Sequence, residues 1–211
     1  MQIIPTILCD DTTEFKKQWR NILHLKTPIQ IDITDNTLTP SQTLLPSQLG
    51  KLSGTDIIFH LMSDAPDQYL NTLAEYRPKK IILHVNTNTN WSLWQDHFTK
   101  AQLGIALNPE NHVDELEQYI ANFSEVLIMT VHPGSIGQPL LTENLEKISA
   151  VKKLYPDITV SVDGGIKPGN IKSVAISGAD IAYIGSAITR AVNPSQAYRE
   201  LLKEGNEVVY P

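Results

Sequence analysis

The chain has 211 residues, 41% of them hydrophobic, and its 17 Lys and Arg against 23 Asp and Glu give a formal net charge of -6 at pH 7. That length can bury one large core, and a net negative chain without a basic cluster does not neutralise a phosphate backbone, so nucleic acid is not an expected partner. No apolar stretch approaches the roughly 20 residues of a membrane span and the N-terminus has no basic segment followed by an apolar one, so no membrane partner and a cytoplasmic address are expected; Cys9, the only cysteine, allows no intrachain disulfide.

Short apolar runs alternate with segments of helical period, eight times over. The predicted strands lie at 3–8, 29–33, 56–60, 80–84, 103–107, 126–130, 159–162 and 181–184. Most carry Ile, Val and Leu on both faces, the pattern of parallel strands covered on both sides. Cys9 reads as a small buried strand residue. After the first strand, Asp11 with Glu14 forms a capping-box pattern, and Phe15, Trp19, Ile22 and Leu23 make one apolar stripe. The second helical segment is interrupted by Pro40 and Pro46. Asn111 with Asp114, followed by Val113, Leu116 and Ile120, predicts a helix after the fifth strand. Thr142 predicts a cap for a helix carrying Leu145, Ile148 and Val151, with Lys152 and Lys153 complementing its negative end. No linker interrupts the pattern, so 1–211 is expected to form one (β/α)8 barrel, a TIM barrel shorter than the usual ~250 residues. A doubly wound open sheet is the alternative arrangement.

A barrel assembles its site at the C-terminal ends of its strands. Those ends present, in order, Thr6, Asp32, His60, His84, Asn108, Thr130 with His132, Asp163, and Gly185 with Ser186. An apolar strand has no packing reason to finish in a carboxylate or an imidazole. Asp32 and Asp163 are the most informative pair, because two carboxylates in one pocket can supply an acid and a base. Gly164-Gly165, Gly169-Asn170 and Gly185-Ser186 put small residues in the last two βα loops, where barrels bind phosphate through main-chain N–H groups.

The ordered set Pro5-Thr6-Ile7-Leu8, Asp32-Ile33-Thr34-Asp35-Asn36, His60-Leu61-Met62, Leu107-Asn108-Pro109, Met129-Thr130-Val131-His132-Pro133-Gly134, Val162-Asp163-Gly164-Gly165 and Gly185-Ser186 resembles the ribulose-phosphate 3-epimerases over nearly the whole chain. The resemblance implies a ribulose-phosphate-binding TIM barrel that interconverts D-ribulose 5-phosphate and D-xylulose 5-phosphate in the pentose phosphate pathway or the reductive pentose cycle, by two-base proton transfer through an ene-diolate. It implies Asp32 and Asp163 as the catalytic acid/base pair, and a divalent cation (zinc, iron, manganese or cobalt) held by Asp32, His60 and Asp163. Thr6, His60, Gly134, Gly137, Gly164, Gly165, Gly185 and Ser186 are the implied contacts to a small phosphorylated sugar, and a homo-oligomer is the expected assembly.

The chain also departs from the family pattern. Gln30 stands where the family has a fourth, histidine ligand, Thr34 where a methionine walls the site, and Ser135-Ile136 where a mobile loop has Phe-Gly. Asn86 and Ser161 replace common glutamates, and His84 and His132 are candidate sugar contacts. Drift of this kind keeps two other readings open: an epimerase for a longer ketose phosphate such as D-allulose 6-phosphate, and a catalytically silent sugar-phosphate-binding barrel. A lyase or decarboxylase on the same barrel is a remoter third.

Overall fold

The computed structural model describes residues 1–134 and 137–207. Eight parallel strands form it: β1 (Gln2–Leu8), β2 (Ile29–Thr34), β3 (Ile57–Met62), β4 (Lys80–His84), β5 (Leu103–Leu107), β6 (Glu125–Met129), β7 (Thr159–Asp163) and β8 (Ile181–Ile184). Each pairs with the next and β8 pairs with β1, so the sheet closes into a barrel rather than the open sheet. The predicted strands match within two residues at either end, because full burial on both faces leaves a continuous apolar signal. Two apolar clusters hold the barrel. The larger lies between the strands and the outer helices, and the smaller fills the lumen with Ile4, Ile58, Ile82, Ala106, Leu127, Met129, Val131 and Tyr183.

The helical ring is less regular. Helix α1 (Thr12–Leu23) is capped as expected, with Asp11 Oδ1 accepting from the Glu14 main-chain N–H at 2.7 Å. The side chain of Glu14, however, receives Gln18 and Lys17 instead of completing the box. The outer wall continues with α2 (Leu70–Glu75), α3 (Trp91–His97), α4 (Leu145–Leu154), α5 (Ile171–Ile176), the short α6 (Ser186–Thr189) and α7 (Pro194–Asn206). Between β2 and β3 only a 3₁₀ turn at Pro46–Gln48 forms, as two prolines dictate.

Three local expectations are corrected. The helix expected after β5 is two 3₁₀ turns, Val113–Leu116 and Ile120–Asn122. Asn111 is diverted, its side-chain oxygen accepting from the Asn108 main-chain N–H at 2.8 Å, while Glu115 reaches back to the His112 N–H. Thr142 does not cap α4; a 3₁₀ turn at Thr142–Asn144 leads into it. Cys9 lies just past β1, partly exposed, its thiol 3.2 Å from the Asp11 carbonyl and pushed up in pKa chiefly by burial. Among the described residues no helix is long and apolar enough to cross a membrane.

The lumen also carries a polar plug at its lower end. Glu125, 1% exposed, receives Lys80 Nζ at 2.7 Å on one oxygen, and the hydroxyls of Ser161 (2.7 Å) and Tyr183 (2.8 Å) on the other. Ser161 therefore faces a carboxylate supplied by the neighbouring strand. Burial and that carboxylate push the Tyr183 phenol well above its usual range, so it stays a donor. A buried carboxylate stripped of its cation costs about 3–5 kcal/mol. Urea denaturation of Lys80→Met is expected to show a loss of that size, whereas Lys79→Met, which removes the exposed Lys79–Asp56 pair, leaves the midpoint unchanged within error. Equal losses in the two variants would contradict the plug.

Candidate active site

Strand register brings the polar ends together. Asp32 is paired with His60 across β2 and β3, Thr6 with Gln30 across β1 and β2, and Asp163 with Tyr183 across β7 and β8. Gln30 and Asp32 are two residues apart on one strand, so both point into the lumen. There Thr6 Oγ1 donates to Asp32 Oδ2 at 2.7 Å, and Gln30 Nε2 lies 2.9 Å from Asp32 Oδ1, 2.7 Å from Asp163 Oδ2 and 3.2 Å from Thr6 Oγ1. His60 Nδ1 is 3.2 Å from Asp32 Oδ1 and 3.9 Å from Asp163 Oδ2. One amide thus spans the two carboxylates.

Burial and the nearby Asp32 carboxylate push the Asp163 carboxyl well above the usual range, against a smaller lowering by the Gln30 hydrogen bond. Asp163 is therefore a carboxyl that keeps a proton more readily than an ordinary one. Behind His60, His84 Nε2 sits 2.9 Å from His60 Nε2 with the rings stacked. Burial and the His60 ring hold His84 well below the usual imidazole range, with the Asn108 side chain pulling the other way, so His84 is neutral. Two facing imidazole nitrogens need one hydrogen between them, so the tautomers of His60 and His84 are coupled.

Asp32, His60 and Asp163 each offer a ligand atom within 4.8 Å of the others. One imidazole and two carboxylates in a largely buried cluster suit a divalent cation. Above them opens a cavity of ≈ 390 Å³. It is lined by Thr6, Asp32, His60, Gly134, Gly137, Asp163, Gly164, Gly165, Gly185 and Ser186, the residues that the family resemblance implies as acid/base pair, cation ligands and sugar contacts, while Gln30 lies fully buried beneath them. The turn after β7 makes room by having no side chains: Gly164 and Gly165 both have positive φ, +119° and +68°. A Cβ on Gly164 would lie 2.4 Å from Val131 Cγ2, and one on Gly165 would lie 2.5 Å from the Leu140 nitrogen.

Other expectations are not met by the geometry. Gly169 and Asn170 do not line the cavity: the Gly169 N–H donates to Glu204, and Asn170 ties the loop by donating to the Gly165 carbonyl. Thr34 is fully buried outside the lining, its hydroxyl held by Thr39 and the Ser41 carbonyl. His132 is exposed and pairs with Glu110 at 2.7 Å, and Asn86 is exposed in a left-handed turn beside Glu115. His84 reaches the site only through His60. The substitutions at Ser135 and Ile136 lie outside the described residues. Met62 and Met129 do wall the cavity, and Gln18, Lys167, Tyr183 and Arg190, which the strand-end logic overlooked, line it too. Gln18 had a legible signal: a polar residue inside the buried stripe of α1.

A family model described as "Ribulose-phosphate 3 epimerase family" matches residues 2–189. The ribulose-phosphate 3-epimerase of Synechocystis sp. is 32% identical over 183 residues, covering 80% of this chain and 78% of that protein. The cytoplasmic isoform from Oryza sativa subsp. japonica is 29% identical over 218 residues, covering 98% and 96%. Among solved structures, 3-hexulose-6-phosphate synthase from Salmonella typhimurium superposes with a TM-score of 0.70 at 12% identity, over 98% of this chain and 99% of that one, a likeness of fold.

The β7 turn offers a direct check on the site's architecture. Gly165→Ala adds left-handed strain and a main-chain clash, expected to cost at least about 3 kcal/mol and lower Tm by roughly 6–12 °C in a chain of this size. An unchanged Tm by differential scanning calorimetry would show that the turn is not packed this tightly.

Proposed function

The chain belongs to the ribulose-phosphate 3-epimerase family, and on that premise we propose that it inverts C3 of a ketose phosphate, converting D-ribulose 5-phosphate into D-xylulose 5-phosphate and back. The observation that carries this reading is the pair Asp32 and Asp163, on β2 and β7, lining one cavity with Thr6 and His60. Inverting a carbon next to a ketone requires a proton to leave one face and another to arrive on the opposite face. Asp32 takes the C3 proton in one direction and Asp163 delivers a proton to the other face, with roles exchanged in reverse.

Supporting groups keep that pair in position. Thr6 and Gln30 hold the Asp32 carboxylate through hydrogen bonds, and Gln30 also holds Asp163. His84 Nε2 shares a hydrogen bond with His60 Nε2, and so couples its own tautomer to the state of the His60 nitrogen turned toward the carboxylates. Met62, Met129 and Val131 give the cavity an apolar wall that limits water around the reacting carbon. Main-chain N–H groups of the glycine turns after β7 and β8 receive the phosphate, and Lys167 and Arg190 bring positive charge to the same cavity. Asp32, His60 and Asp163 would hold a divalent cation, which when bound polarises the ketone and offsets the negative charge developing on the substrate oxygens.

In a coupled assay for D-xylulose 5-phosphate, Asp32→Asn and Asp163→Asn are each expected to lower turnover by at least about 10³-fold while keeping a native circular dichroism spectrum. Asn86→Ala, at an exposed position outside the cavity, is expected to leave turnover unchanged. Full activity in either aspartate variant would contradict the two-carboxylate reading. A wild-type chain that binds the sugar phosphate without turning it over would make it a binding protein.

A further inference from the structure

Gln30 presents one end of its amide to the acidic cluster and leaves the other with nothing. Its Nε2 lies 2.9 Å from Asp32 Oδ1 and 2.7 Å from Asp163 Oδ2. His60 Nδ1 lies 3.2 Å and 3.9 Å from those same two oxygens. Four donors set tetrahedrally about 2.1 Å from one ion are roughly 3.4 Å apart, and these separations bracket that value. The end of the Gln30 side chain therefore occupies the corner of a donor shell. An amide nitrogen has no lone pair to offer a cation; it offers hydrogens to carboxylates. The amide oxygen is a hard donor, and Gln30 Oε1 is buried with no hydrogen-bond partner on a residue that is 0% exposed. The two ends of a primary amide are nearly the same size. A half turn about the last side-chain bond exchanges them within the same volume and breaks no hydrogen bond on the oxygen's side.

We infer that Gln30 is a two-position element: its amide nitrogen bridges Asp32 and Asp163 when the site holds no cation, and its amide oxygen becomes the fourth donor when a divalent cation binds. The inference rests on the reading of Asp32, His60 and Asp163 as holding such a cation. It has two consequences. The shell is one nitrogen and three oxygens, so it favours oxygen-preferring ions such as Mn²⁺ or Mg²⁺ relative to Zn²⁺ more than a shell with a second imidazole does. The metal-free site is also self-consistent, because the carboxylates that a cation would neutralise receive two N–H groups instead.

The test uses the full chain, stripped of metal and titrated with Mn²⁺ or Zn²⁺ against a competing chelator. Gln30→His is expected to raise the ratio of Zn²⁺ to Mn²⁺ affinity at least tenfold, and Gln30→Leu to weaken Mn²⁺ binding at least tenfold. A second readout needs no variant in the comparison: in nitrogen-15-labelled wild type, the Gln30 side-chain N–H signals are expected to exchange slowly with D₂O without metal, then shift and exchange faster on adding diamagnetic Mg²⁺. If Gln30→Leu binds both ions as tightly as wild type, or the amide signals ignore the ion, the two-position role is overturned and the three-residue site stands. If folded wild type binds neither ion, the reading beneath it falls as well.

Discussion

Two carboxylates held side by side out of water are the constraint on which the rest of this structure turns. Asp32 and Asp163 would repel each other in a dry barrel, and the raised Asp163 pKa expresses first its burial and then that repulsion. The fold meets it with donors from three adjacent strands: Thr6 from β1, Gln30 from β2 and His60 from β3. The reach of Gln30 to Asp163 depends on barrel closure, because β7 and β2 are distant neighbours in the ring and only the shared lumen brings their ends within reach of one amide.

The barrel's interior is therefore layered by chemistry. At the bottom, Glu125 is neutralised by Lys80 and fixed by Ser161 and Tyr183; above it lies an apolar layer of Ile, Leu and Ala; at the top stands the acidic site. Tyr183 joins the levels, its hydroxyl bonded downward to Glu125 while its side chain lines the cavity above. The loops then add what strands cannot: the Gly164-Gly165 turn brings main chain close to the cavity, as no turn with side chains could.

Much of this was legible in the residues alone. The eight strands were, because parallel strands buried on both faces write a continuous apolar run, and the polar residues ending them named the acidic centre of the cavity. The helical layer was less so: Asn111 could cap a helix or close a turn, and only the Asn108 main chain decided for the turn. Thr34 and His132 were misplaced because the end of a strand does not say which way its last side chains face. Gln18 and Arg190 reach the cavity from helix α1 and from just past α6, positions that strand-end reasoning does not inspect. Gln30 was half legible. Its identity departs from the family pattern, but only the structure shows its nitrogen in a three-way contact and its oxygen buried without a partner.

The claim at the centre of this account is that two opposed carboxylates, one on each face of the sugar, move the proton. The most direct measurement runs the reaction in D₂O to low conversion and reads C3 of the D-xylulose 5-phosphate formed by proton NMR. Two groups in exchange with solvent deliver deuterium to C3 of the product from the first turnover, so its C3 proton signal should be missing. Product that keeps its original C3 hydrogen would mean that one group removes and returns the same proton, and the paired roles of Asp32 and Asp163 would be wrong.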